Sequence, residues 1–197
     1  VPVDPSPAAV LGSQIGTYDP NTMRIGYWDA EAQAYVEYPF SASLEPGRSG
    51  WFLFRNGKTL TVQGSPTPLT SGLLGPGYYY PINQGWNMMG NPCLESVDLI
   101  DAMVIDADET HAYLSDPANT ITQQVFWVYG NGTYRAATTL GVTEGGWIKK
   151  LTPGWGRIFI PAAYPDRGRA ASVPVTDDLE RPPAPPAGLD QPSAGGG

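Results

Sequence analysis

Cysteine and histidine each occur once in the 197 residues, as Cys93 and His111. One cysteine excludes an internal disulfide framework, a cysteine-based zinc site and thiolate-held clusters. One histidine excludes every motif that needs two, including H-E-x-x-H. Lysine is also scarce: 3 Lys and 8 Arg stand against 19 acids, and the net charge of −8 excludes the basic footprint of a nucleic-acid binder. No apolar run approaches the roughly 18 residues of a membrane span, and no charged segment followed by an apolar one opens the chain as an export signal does. The first residue is Val1, so we expect a processed or trimmed chain. No G-x-S-x-G elbow accompanies His111, and no Gly-rich phosphate loop precedes a helix. Two carboxylates would suffice for glycoside hydrolysis, but no spacing singles out a pair. We therefore expect no enzyme and no obligatory cofactor, with Cys93 as a small packing residue inside Asn-Pro-Cys-Leu.

Glycine and proline are abundant instead, with 24 Gly and 21 Pro, which argues against a helical protein. Hydrophobic residues make up 41% and aromatics 11%, with 6 Trp and 11 Tyr, enough for one sizeable core or two small ones. Two Asn-Gly dipeptides predict tight type I′ hairpin turns: Asn56-Gly57 between WFLF and KTLTV, and Asn131-Gly132 between VFWVY and TYRAAT. Further strands are expected near 23–28, 34–40, 85–89, 102–106, 145–149 and 156–161, and a turn or two of helix within 94–118. From about 166 the chain has no aromatic residue but six Pro and five Gly. Such a tail cannot offset its ordering entropy by itself, so a neighbouring subunit or partner is the natural candidate for holding it.

The chain also resembles itself. IGYWDAEAQAYVEYPFSASLEPGRSGWFLF and VFWVYGNGTYRAATTLGVTEGGWIKK share a strand pair, a loop and a Gly-Trp strand, with Leu44 and Leu140 each seven residues before Trp51 and Trp147. The expected fold is all-β: two related antiparallel, sandwich-like units with little helix and an extended tail. The divisions are an N-terminal extension at 1–22, units at 23–84 and 85–165, and the tail at 166–197.

Gly85-Trp86-Asn87-Met88-Met89-Gly90-Asn91-Pro92, Pro46-Gly47-Arg48-Ser49-Gly50-Trp51 and Glu144-Gly145-Gly146-Trp147-Ile148-Lys149, with the hairpin Tyr129-Gly130-Asn131-Gly132-Thr133-Tyr134, carry a resemblance over residues 23–161. They resemble β modules of secreted bacterial multi-modular surface proteins, marked by segments close to GWNLIGNP and PGxGYW. This chain departs from them in carrying Cys93 after Asn-Pro, and its first copy lacks the upstream Gly-Trp-Asn block. The resemblance implies an appended, non-catalytic surface or sorting domain and brings no catalytic residue. Composition points the same way, toward an exported bacterial protein at the cell surface or outside the cell.

In the Gly-Trp motifs, Gly permits close backbone approach and Trp51, Trp86 and Trp147 fill the space between sheets. Tyr78, Tyr79 and Tyr80 alternate faces in an extended run, so at least one is free to stack on a sugar or anchor a protein, unless all three pack along an edge. Trp155, in Pro-Gly-Trp-Gly, is a second recognition candidate. No Lys or Arg lies between Lys58 and Arg135, a span with seven acids. Within it Asp106, Asp108, Glu109 and Asp116 are the oxygen set for a Ca²⁺ ion, although the spacing is not that of an EF-hand; the other reading is a solvated acidic face. The expected function is a non-catalytic surface, appendage or filament component. It would assemble with other copies of itself or another surface protein through β edges and the tail. The alternative is a carbohydrate-binding accessory module.

Overall fold

The computed structural model describes residues 7–39, 44–61, 67–72, 75–162 and 179–185. It is all-β with antiparallel sheets. A short helix, α1 (Pro7–Ile15), precedes strands β1 (Met23–Asp29), β2 (Ala34–Glu37), β3 (Trp51–Phe54), β4 (Thr70–Gly72) and the long β5 (Gly75–Gly90). After these come β6 (Val97–Asp98), β7 (Met103–Asp106), β8 (His111–Tyr113), β9 (Phe126–Gly130), β10 (Thr133–Ala137), β11 (Thr139–Leu140) and the long β12 (Gly145–Pro161). Three strands form one sheet in the order β2-β1-β3. Seven form the main sheet, in which β10-β9-β12-β5-β4 is the path and β7, carrying β8, also pairs with β12; β6 and β11 form a small ribbon.

The repeat in the sequence is a repeat in register. In the first unit Trp28 pairs Tyr35 across the hairpin, and Gly26 pairs Trp51 on the other side of β1. In the second, Tyr129 pairs Tyr134, and Trp127 pairs Trp147. Both units are thus a hairpin whose first strand takes a Gly-Trp strand on its free side. Both motif glycines serve close approach: a Cβ on Gly50 would stand 2.8 Å from the Tyr27 ring, and one on Gly146 would collide with the Trp127 carbonyl and the Phe126 ring.

The two Asn-Gly turns part company. Asn131 (φ 52°) and Gly132 (φ 79°) close a two-residue hairpin between Gly130 and Thr133, as type I′ requires. Asn56-Gly57 closes none: β3 pairs with β1, and residues 57–61 form no strand. The physical reason is α1. The Gln14 side chain donates to the Thr61 carbonyl at 2.7 Å and accepts the Thr61 N–H at 2.6 Å, while Lys58 Nζ donates to the Gln14 carbonyl at 2.9 Å. The N–H and carbonyl of Thr61, which a partner strand would have used, are taken by the helix instead.

Helix is likewise displaced from its expected place. Residues 94–118 contain none, because their aspartates hydrogen-bond the N–H groups that follow them: Asp98 accepts from Ile100, Asp108 from Thr110 and Asp116 from Ala118, each at 2.8–2.9 Å. The segments expected at 145–149 and 156–161 are one strand, β12, joined through an irregularity between Lys150 and Trp155. β5 runs unbroken through positions 84 and 85, where the sequence divides the two units.

The largest core gathers Ile82, Met89, Val104, Phe126, Ile148 and Ile158 from the main sheet. A second, under α1, holds Leu11, Ile15, Met23, Ile25 and Tyr27. Between the sheets lies an aromatic layer: Trp28 and Tyr35 of the first unit meet the Trp147 ring edge-on at 5.2 and 6.1 Å, and Trp51 meets Tyr129 at 5.0 Å. The Trp28 Nε1–H donates to the Trp86 carbonyl at 2.7 Å. No described helix is long and apolar enough to cross a membrane.

Candidate functional site

The aromatic layer continues past the small sheet as a shelf on the main one, contributed by Trp86 of β5, Trp127 of β9, Tyr134 of β10 and Lys149 of β12. Lying on it are residues 179–185, Leu-Glu-Arg-Pro-Pro-Ala-Pro. Leu179 packs on the aromatic cluster and Pro182 is buried. Glu180 accepts the Trp86 indole N–H at 3.2 Å and forms an ion pair with Lys149, whose ammonium also stands over the Trp86 ring at 5.7 Å. The Arg181 guanidinium covers the Trp127 ring at 4.4 Å and donates to the Tyr134 carbonyl at 3.4 Å. Tyr134 donates its hydroxyl to the Pro183 carbonyl at 2.7 Å.

Each contact has a chemical reason. Pro182, Pro183 and Pro185 have no N–H, so this strap cannot extend a β ladder, and it forms no strand. It offers carbonyls and a stiff apolar ridge, which aromatic rings with polar tips receive, as in other recognition of polyproline segments. Lys149 holds the Glu180 carboxyl below its ordinary value against a smaller opposing effect of desolvation, and the Trp86 N–H helps. Burial raises the Tyr134 hydroxyl, with Tyr35 and Tyr129 adding to it, so Tyr134 stays a donor.

The described part of the tail is therefore held by the chain's own second unit, and by side chains across a sheet face instead of main-chain bonds along an edge. Residues 166–178 and 186–197 of the expected tail lie outside the described residues. The sequence points to Trp86 and Trp147 as packing residues, a role that agrees with their burial, and does not single out the shelf. The available signal was Glu-Arg-Pro-Pro, an acid, a base and two prolines in a tail otherwise rich in small residues.

The tyrosine run divides between the two faces. Tyr80 packs on the main core and donates to the Met88 carbonyl at 3.0 Å, and Tyr78 donates to the Pro46 carbonyl at 2.7 Å. Tyr79 faces the other way, 4.8 Å from the Phe159 ring and beneath the Arg157 guanidinium at 5.4 Å. All three are half-buried, so they form no free platform. Trp155 does stand free, 54% exposed at the end of the β12 irregularity beside Gly154 (φ 75°), and Leu151 at the other end is 46% exposed.

The proposed calcium set is not assembled. Among the described residues no three His, Cys, Asp or Glu side chains gather closely enough to hold a metal ion. Asp106 pairs with buried Lys150 at 2.9 Å, Glu109 with Arg157 at 2.6 Å, and Asp108 and Asp116 cap their own turns. The Lys150 ammonium, fully buried, also donates to the Thr152 carbonyl at 2.9 Å, the Thr152 hydroxyl at 2.6 Å and the Pro153 carbonyl at 3.2 Å, and so fastens the loop that presents Trp155. Desolvation works against the Asp106 charge, but the bonds from Lys150 and Thr152 outweigh it and hold its carboxyl below the ordinary value.

His111 is exposed on β8, its Nδ1 3.2 Å from the Glu109 carbonyl. Cys93 is half-buried, and burial raises its thiol, with Glu95 adding to the effect.

No family model, curated protein or solved structure matches the chain.

Proposed function

We propose that this protein is a non-catalytic extracellular structural or adhesive component whose proline-rich tail links it to a neighbouring copy. The observation that carries this reading is the shelf with residues 179–185 on it: a receptor surface and its ligand in one chain. Every contact is between side chains or to a carbonyl, so the shelf receives the same segment equally well from another copy. Sixteen residues separate Ala162 from Leu179. Fully extended, that length reaches roughly 55 Å, enough to pass the strap to a neighbour. Exchange of an identical element is a low-cost route to assembly, and tethering sets the balance between self-docking and linking through effective concentration. The resemblance of residues 85–92 and 46–51 to modules of secreted bacterial surface proteins supports the same compartment and class. The chain that carries Glu180→Ala and Arg181→Ala, and one that lacks residues 166–197, should both lose ordered assemblies in light scattering and electron microscopy. Assembly that persists in both sinks the proposal.

One observation favours a second reading. Trp155 and Leu151 flank an exposed irregularity of β12 that Lys150 holds in place, a geometry suited to stacking on a sugar ring. Glycan-array binding lost on Trp155→Ala would support a carbohydrate-binding module; binding that survives this change would count against it.

A further inference from the structure

We propose that the shelf selects its peptide by charge order, taking an acid followed by Arg and two prolines and rejecting the same residues with the charges exchanged. The partner segment is Leu-Glu-Arg-Pro-Pro of a second copy of this chain. Glu-Arg-Pro-Pro occurs once in the sequence; Asp166-Arg167 repeats the charge order but is followed by Gly168 and Arg169 instead of prolines. The selection rests on the reading that the shelf receives the strap from another copy, and it adds what the shelf recognises.

The strap crosses the strands of the main sheet instead of running along one. Trp86 of β5 and Lys149 of β12 are register partners, and Glu180 is bound to both, through the indole N–H at 3.2 Å and the ion pair. The next residue, Arg181, lies over Trp127 of β9 at 4.4 Å and donates to the Tyr134 carbonyl of β10 at 3.4 Å. Two residues further, the Pro183 carbonyl accepts the Tyr134 hydroxyl at 2.7 Å. The strand order β10-β9-β12-β5 therefore sets the order in which a peptide meets its partners.

The two ends of that path differ in electrostatic character. At the β5–β12 end stand an ammonium and an indole N–H, both donors. An arginine there would meet Lys149 as a like charge and leave the Trp86 N–H without its acceptor. At the β9–β10 end stand the face of an indole, the negative side of its quadrupole, and a carbonyl oxygen. A glutamate there would be repelled by both. Exchanging the two residues loses both sockets at once, although composition, net charge and prolines stay the same. The Lys149 side chain is only 19% exposed, so water screens its charge incompletely. Leu179 on the aromatic cluster and buried Pro182 supply contact in either order, which is the part of the affinity that does not discriminate.

The test uses the full chain carrying Glu180→Arg and Arg181→Glu, in which the shelf residues are unchanged and the chain's own strap has the wrong order. It is titrated with fluorescein-labelled Leu-Glu-Arg-Pro-Pro-Ala-Pro and Leu-Arg-Glu-Pro-Pro-Ala-Pro, followed by fluorescence polarisation at low ionic strength. The expected result is saturable binding of the first peptide, about tenfold tighter than the second. Adding Lys149→Gln, or raising the salt to about 0.5 M, should cut that ratio to roughly threefold or less. Should this host fail to unfold cooperatively, the chain carrying Glu180→Ala and Arg181→Ala takes its place in the same titration. Equal affinity for the two peptides, or no binding of either, would overturn the proposal. Selective binding by a chain that forms no assemblies would support charge-order selection and sink the assembly reading, whereas assemblies with equal peptide affinities would do the reverse.

Discussion

The two units share one register and differ in what surrounds it. Trp51 faces Gly26 across β3 and β1 and remains half-buried, whereas Trp147 faces Trp127 across β12 and β9, with both rings at most 1% exposed. Among the described residues, the sheet that holds Trp51 has three strands, with α1 packed on its core. In the second, the Gly-Trp strand extends into β12, which is flanked by β5, β7 and β9 and so sits in the middle of a sheet. The same motif is a rim in one place and a centre in the other. Pattern sets which residues pair; the number of neighbouring strands sets how much each contact is worth.

This comparison is sharpest under truncation. Trp147→Ala should cost about 3–5 kcal/mol in denaturant unfolding, the range for emptying a fully buried aromatic site. Trp51→Ala should cost roughly 1–2 kcal/mol, because a half-buried ring leaves a site that water and neighbours can fill. Equal losses would show that the first unit is as firmly built as the second and break the comparison.

Lys150→Met tests the second unit at its one buried ammonium. Loss of the charge strips Asp106 and the 152–153 loop of their shared donor, and we expect a loss of about 2–3 kcal/mol, below the range for a fully buried pair because Asp106 is partly exposed. Chemical denaturation measures it, and the emission of exposed Trp155 should report the loosened loop.

Smaller effects belong to the strap. Tyr134→Phe removes the donor to the Pro183 carbonyl and Arg181→Ala the cation over Trp127; each should weaken docking by about 1 kcal/mol. Limited proteolysis after Arg181 in the Tyr134→Phe chain should speed up roughly fivefold, and an unchanged rate would count against the contact.

The pH response has a definite sign. The Glu180 carboxyl lies below its ordinary value of 4.5 in the folded chain, mainly through Lys149, so its contribution is complete above that value. It is lost as pH falls through the lower folded value, where the strap takes up a proton and lets go. Strap release followed by tryptophan fluorescence should therefore occur on acidification and not between pH 6 and 8.

The strands were legible wherever a strand's own residues decide its state. Alternating aromatic and β-branched residues marked β1, β9 and both halves of β12, and the repeat of Leu44 to Trp51 in Leu140 to Trp147 foreshadowed a common register. Reading failed where a distant group won. Asn56-Gly57 has the same chemistry as Asn131-Gly132, but Gln14 of α1 captures the following backbone. The acidic span looked like a set of ligands because sequence does not tell where a carboxylate points; Lys150, Arg157 and local N–H groups take four of them one by one.

The wealth of Gly, Pro, β-branched and aromatic residues determined that this chain is built of strands, because strand and turn preferences follow from each residue's own covalent chemistry. Only the tertiary structure decided where residues 179–185 of the tail lie and which partner each charged side chain finds. Both are sums over contacts between segments far apart in the chain: Glu180 reaches Trp86 and Lys149, Pro183 reaches Tyr134, and Asp106 reaches Lys150.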